Sequence, residues 1–312
     1  MLSILKKITG NISTMVVLGI IAAFLAPHAA SWLYWALIPL IIVLLYTSLL
    51  PVKITMLFKI TRGDLKLLFA SLFLQFIVVG IIGLIFAKLL IKDPVFADAL
   101  ILSAIMPTGV MNIFFVRMAG GSVSLALYSV LAATLAAPFI IPAWAVLFAG
   151  ASVQISILDI FSKTAFIVFI PLFFAWLTQK NSAITKKITA NLKPVNFSLF
   201  FIVIFIIVGP SVDYIISNID DVIALVIPVG LTLAFSILAG YLTIFWHKDE
   251  KKRVAFMVIS GRKNLAICYG LAVLFPPQFI LPVIIYTILH NIWVGALDIN
   301  KNKRYISDAV NL

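Results

Sequence analysis

Charge is scarce in this chain, and acidic charge is scarcest of all. Only 11% of its 312 residues are charged, and 11 residues are Asp or Glu. A water-soluble fold of this length needs a polar skin that 23 basic and 11 acidic side chains cannot supply. With 63% hydrophobic residues and a mean hydropathy of +1.20, most of the outer surface has to face lipid. Cysteine is nearly absent. Cys268 alone excludes an internal disulfide framework and a cysteine-built metal site. No Gly/Ser-rich or low-complexity stretch divides the chain into soluble modules. His-Glu-x-x-His, Gly-x-Ser-x-Gly and paired intramembrane carboxylates are also missing, which argues against an intramembrane enzyme.

What the chain does have is apolar length. A spanning helix needs ~20 mostly apolar residues, fewer where it is short or broken. Such stretches lie near 12–27, 31–50, 66–91, 96–117, 122–148, 160–179, 196–217, 222–246, 254–275 and 279–297, ten in all. The strands of a membrane barrel would alternate apolar and polar residues, and runs such as Leu199 to Val208 do not. The expected fold is an all-α polytopic membrane protein with ten transmembrane helices.

The net charge of +12 belongs to the bilayer and not to nucleic acid, because of where it falls. With the N-terminus inside, 18 basic residues lie on cytoplasmic segments: Lys6, Lys7, Lys53, Lys59, Arg62, Lys66, Arg117, Lys180, Lys186, Lys187, Lys193, Lys248, Lys251, Lys252, Arg253, Lys301, Lys303 and Arg304. Lys88, Lys92 and Lys163 fall outside, and Arg262 and Lys263 lie within a span. This split predicts a multi-pass protein of the cell membrane (inner or plasma) with both termini cytoplasmic. The N-terminal segment has a second reading. Lys6 and Lys7 before an apolar run ending at Ala26-Pro27-His28-Ala29-Ala30 also resemble a cleavable secretory signal, whose loss would leave nine helices.

Five spans precede the connection at Gly150 to Asp159 and five follow it, dividing the single membrane domain at 1–150 and 151–312. An odd number of helices per half forces the second half into the membrane in the opposite orientation, as in inverted-repeat secondary transporters. The fourth helix of each half also carries a matching interruption. One reads Met106-Pro107-Thr108-Gly109-Val110-Met111-Asn112, the other Ile259-Ser260-Gly261-Arg262-Lys263-Asn264, each with Asn three residues after Gly. Pro107 removes a backbone donor and disfavours helix at Met106, and Gly costs ~1 kcal/mol relative to Ala. Broken backbone in lipid is tolerated only where protein buries it or it lines a cavity. Paired interruptions therefore predict a binding site near the midplane.

On these residues the chain resembles the bile acid:sodium symporter superfamily. The likeness includes Leu74-Gln75-Phe76, Met106 to Asn112, and Gly121 to Gly150 with Pro138 and Pro142. It continues through Lys252-Arg253-Val254, Gly261 to Ile267, Pro276-Pro277 and His290-Asn291-Ile292. The resemblance implies two inverted five-helix repeats whose fourth and ninth helices break and cross beside a substrate cavity. It implies alternating-access transport of a small organic anion, a carboxylate or bile-acid-like acid. The sodium-dependent members resemble one another in Glu-x-Gly-x-Gln-Asn in the ninth helix. Here the Glu position is Ile259 and the Gln position is Lys263, and the hydroxyl-bearing sodium positions of the fifth helix correspond to Ala126 and Val130. Sodium is a hard cation that wants oxygen ligands. These residues argue against two-sodium coupling.

The substrate-binding candidates are Pro107, Thr108, Gly109, Asn112, Gly261, Arg262, Asn264, His290 and Asn291; Lys263 and Gln75 are candidates for ion coupling or cation substitution. All the acids are expected in loops or at helix ends, so no intramembrane carboxylate is expected to neutralise Arg262 or Lys263. Lys263 has three readings: a tethered cation in the former sodium position, a titrating proton carrier, or, with Arg262, a direct contact for an anion. A further reading has one or both cations nearer a membrane face, where they snorkel. His290 is read as a proton relay or a satisfied interhelical histidine, while Ser129 and Thr134 are expected to bond back to their own helix. No cofactor and no metal is expected, and proton coupling stays open. A passive uniporter or channel on the same scaffold, or a sodium symporter with relocated ion sites, also fits. Substrate identity and oligomeric state do not follow from the sequence.

Overall fold

The computed structural model describes residues 12–148, 156–190, 192–245 and 248–293. The termini assigned to the cytoplasm, with Lys6, Lys7, Lys301, Lys303 and Arg304, lie outside the described residues, as do His247 and the first part of the junction between halves. The helices in chain order are α1 Ile12–Leu25, α2 Pro27–Leu49, α3 Arg62–Leu90, α4 Pro94–Ile105, α5 Asn112–Met118, α6 Val123–Phe148, α7 Ile157–Gln179, α8 Ser182–Thr189, α9 Pro194–Ser217, α10 Ile219–Leu242, α11 Glu250–Gly261, α12 Leu265–Leu274 and α13 Pro277–Trp293. Among the described residues, six of these (α2, α3, α6, α7, α9 and α10) are long and apolar enough to cross a membrane. α1, α4, α12 and α13 are shorter apolar helices. The described residues contain no strand beyond one isolated bridge.

The scarce acids start helices. Thr61 and Asp64 form a capping box at α3, Asp93 accepts from the N–H groups of Val95 and Phe96 ahead of Pro94, and Asp249 accepts from those of Lys251 and Lys252. Each satisfies donors that helix geometry leaves unpaired, at a place where the helix dipole favours negative charge. Asp98 departs from the expected pattern. It lies inside α4 and is 1% exposed. It lies nine positions before Pro107, on the helix that ends at Ile105.

Proline alone does not break these helices. α6 runs through Pro138 and Pro142, and α7 through Pro171. The third span instead contains a π-helical turn at Phe73–Val78, centred on a buried Gln75.

Two groups of helices pack side by side. α1 packs on α9, and α2 on both α7 and α9; α3 packs on α4 and α10, and α10 on α11. The α10–α11 contact is a backbone approach. A Cβ at Gly240 would sit 2.5 Å from the Phe256 carbonyl oxygen and 2.7 Å from the Met257 Cα. At the α5–α6 turn, Gly120 adopts φ 72°, a conformation that other residues rarely take.

The basic ends of several helices are tied together. Gln179, at the end of α7, donates from Nε2 to the carbonyls of Leu50 (3.1 Å) and Val52 (2.7 Å), and accepts from the Ile54 N–H. The Ser122 N–H donates to the Lys251 carbonyl at 2.8 Å, joining the α5–α6 turn to the start of α11. Leu100, Ile101, Leu102, Ile105 and Met106 share one buried apolar cluster with Val203, Ile204, Phe279 and Ile280, and it extends to Leu44 and Leu45 of α2. Ser211 Oγ bonds the Pro277 carbonyl at 2.7 Å, and Phe275 stacks on Phe279.

Candidate functional site

The two interruptions foreseen at Met106–Asn112 and Gly261–Asn264 meet. α4 ends at Ile105 and α11 at Gly261; beyond these ends the chain leaves the helix, extended at Arg262 and turning at Val110 and Met111 before α5 begins. Thr108 and Lys263 pair as an antiparallel bridge, and the Asn264 N–H donates to the Pro107 carbonyl at 2.7 Å. Each break thus supplies partners for backbone groups that the other leaves open, which low-dielectric surroundings require.

Side chains complete the joint. The Asn112 amide donates to Thr108 Oγ1 (2.5 Å) and to the Arg262 carbonyl (2.6 Å); Thr108 Oγ1 also donates to that carbonyl, at 3.3 Å. Tyr286 donates its hydroxyl to the Gly261 carbonyl at 3.2 Å. Gln75 serves both sides of the joint. Its Oε1 accepts from the Thr108 N–H at 2.9 Å, while its own carbonyl accepts from Lys263 Nζ at 3.3 Å. A π turn shifts the helical hydrogen-bond register, so Gln75 sits where backbone carbonyls are open to partners outside the helix.

Arg262 and Lys263 are adjacent but do not share a direction. Successive side chains on extended backbone point to opposite faces. Lys263 reaches α3, whereas the Arg262 guanidinium lies over the Phe115 ring at 4.0 Å and donates from Nη2 to Asn291 Oδ1 at 3.2 Å. They are 4% and 3% exposed, so neither snorkels to a membrane face. Among the described residues no carboxylate lies within ion-pair distance of either, and Arg262 Nη1 has no hydrogen-bond partner.

Beside the joint is a cleft enclosing ≈ 690 Å³, part of it open to solvent. Gly109, Asn112, Arg262, Lys263, Asn264 and His290 line it, facing Leu44, Leu45 and Ser48 of α2 and Asn196, Phe197 and Phe200 of α9. Its α2 and α9 walls come from the last turns before Leu49 and the first turns after Pro194, so it lies toward the end that Gln179 clasps. Pro107, Thr108, Gly261, Asn291 and Gln75 do not line it; they hold the residues that do.

His290 is not a satisfied histidine. It is 4% exposed, its Nδ1 has no hydrogen-bond partner, and Tyr286 meets it edge-on at 6.0 Å. Ser129 does not bond back to its own helix but donates to Ser71 Oγ of α3 at 2.8 Å, and Thr134 Oγ1 has no partner. Phe115, Tyr286 and Gln179 act here without a sequence signal, since apolar helices are full of such residues. The tie of Tyr269 to Thr287 belongs to the same group.

The joint lies inside the segment that known proteins share. The family model of SBF-like CPA transporters matches residues 56–298, spanning both breaks. The chain belongs to that family. This SBF-like transporter is therefore a multi-pass membrane transporter and not an enzyme, of a family related to the bile acid:sodium symporters. It is also similar to a Bacillus subtilis (strain 168) protein named "Uncharacterized protein YbaS", with 27% identity over 219 residues, 68% of this chain and 70% of the relative.

Proposed function

We propose that this chain carries a small organic anion across the cell membrane by alternating access, with the joint of the two broken helices as its binding site. The observation that carries the reading is a buried guanidinium with no carboxylate partner among the described residues, next to a cleft whose other wall is largely apolar. An ionised group near the midplane costs ~2.5–3.5 kcal/mol and persists where it faces a cavity or a partner. The cargo supplies that partner: its acid group meets Arg262, and its body lies on Leu44, Leu45, Phe197 and Phe200. Gly109, Asn112 and Asn264 complete the polar wall.

In this reading ten spans form two inverted repeats, 1–150 and 151–312, with both termini on the cytoplasmic side. The clasp that gathers Lys53, Lys180 and Lys251 at one end supports that orientation. The cleft lies toward that end, which in this orientation makes it an inward-facing site. Lys263 is a tethered cation that takes the place of bound sodium, with its ammonium on the Gln75 carbonyl. Two observations support sodium independence. Ile259 and Ala126 belong to one buried apolar cluster, and Val130 is buried as well, so oxygen ligands are missing where the resemblance would place them. Because a tethered charge never leaves, the same observation favours a second reading, a passive uniporter on this scaffold.

Proteoliposome counterflow tests the carrier. Vesicles preloaded with a carboxylate accumulate labelled carboxylate against its gradient if the protein alternates, and a channel shows no such overshoot. Arg262→Gln abolishes the overshoot for every carboxylate. Counterflow that survives this substitution in a folded protein removes Arg262 from the site.

A further inference from the structure

His290 stands on the cleft wall without a partner at Nδ1, and the groups that face it are unusual for a buried imidazole. From the joint come two cations, Arg262 and Lys263. Tyr286 lies one turn earlier on its own helix, and Tyr269 of α12 reaches Thr287 between them. α2 and α9 present Leu44, Leu45, Ser48, Asn196, Phe197 and Phe200, none of them charged. Among the described residues no carboxylate lines the cleft. While the cleft is empty, the charged neighbours of the ring are thus all positive, and they oppose a second proton on it. A carboxylate arriving at Arg262 cancels one of those two positive charges and so weakens the field that opposes the proton.

Binding that changes proton affinity is reciprocal: if the anion favours the proton, the proton favours the anion by the same factor. We propose that His290 is the coupling proton site of this transporter. The imidazole takes up one proton from water as the anion binds and releases it as the anion leaves, so cargo and proton cross together. Charge balance is the physical reason. The empty site carries the charges of Arg262 and Lys263; adding one anion and one proton leaves that total unchanged. The loaded and empty carriers then face the same electrostatic cost of rearranging in the bilayer. This inference rests on the anion carrier proposed above and adds the coupling ion and the residue that holds it.

The test mixes purified protein in weakly buffered detergent with benzoate, decanoate or cholate, following binding by calorimetry and proton uptake with an indicator dye. The wild type should take up one proton per anion bound, with affinity falling about tenfold per pH unit on the alkaline side, as one-to-one linkage requires. His290→Gln should bind the same probe more weakly on the acid side, with no proton uptake and a flat pH profile, because the proton-linked part of the affinity is gone. Binding by the wild type without proton uptake overturns the proposal whether or not the variant folds, and leaves the anion carrier standing. Proton uptake undiminished in His290→Gln also overturns it. If none of the three probes binds the wild type, both the anion reading and this inference fall.

Discussion

Replacing Lys263 by Gln separates the tethered charge from the side chain that bears it. Gln puts a neutral amide, one bond shorter than the ammonium, toward the Gln75 carbonyl that Lys263 Nζ meets at 3.3 Å. Exchanging a charge-assisted hydrogen bond for a neutral one loses about 1 kcal/mol of stability. Removing a buried ammonium offsets that loss, since an ionised group at midplane depth costs ~2.5–3.5 kcal/mol. The melting temperature in detergent should therefore move by only a few degrees. Binding should not be so forgiving. A unit charge about 8 Å from an anion, at an effective dielectric of ~20, contributes roughly 2 kcal/mol, and its loss weakens Kd about 30-fold. Titration calorimetry with a carboxylate panel measures this, with sodium or choline as the bulk cation. For the wild type the two salts should give the same Kd. Sodium should not rescue the variant either, because Ile259, Ala126 and Val130 remain apolar and buried. Unchanged affinity in a folded Lys263→Gln protein, or affinity restored by sodium, would refute the tethered-cation reasoning.

Two substitutions away from the joint probe the frame that holds it. Gln179→Ala leaves the Leu49, Leu50 and Val52 carbonyls and the Ile54 N–H without the amide that now serves them. Partly buried groups of this kind should cost about 1–3 kcal/mol, read as a lower melting temperature and faster hydrogen exchange over residues 50–60. Gly240→Val places a side chain against the backbone of Phe256 and Met257. Overpacking there should cost at least about 1–3 kcal/mol, so a Gly240→Val protein that melts like the wild type contradicts the α10–α11 approach.

Much of the scaffold was written in composition and order. Scarce charge and long apolar stretches required a helical membrane protein, since lipid leaves the backbone no partners but its own. The breaks were also legible: Pro107 with Gly109, and Gly261 beside two cations, are residues an uninterrupted apolar helix has no use for. The scarcity of acids anticipated that Arg262 and Lys263 would lack carboxylate partners, although Asp98 turned out to be buried in α4. The division of labour between the two cations was not legible. Helical spacing puts adjacent residues about 100° apart, but extended backbone at the bridge sends them to opposite faces. That geometry follows from pairing between segments more than 150 positions apart, as do the partners Gln75, Phe115 and Asn291. Local sequence determines where a helix must fail. Only the meeting of two failed helices decides which atoms repair the damage and which are left to face a ligand, because the repair is made by distant backbone whose position no local preference encodes.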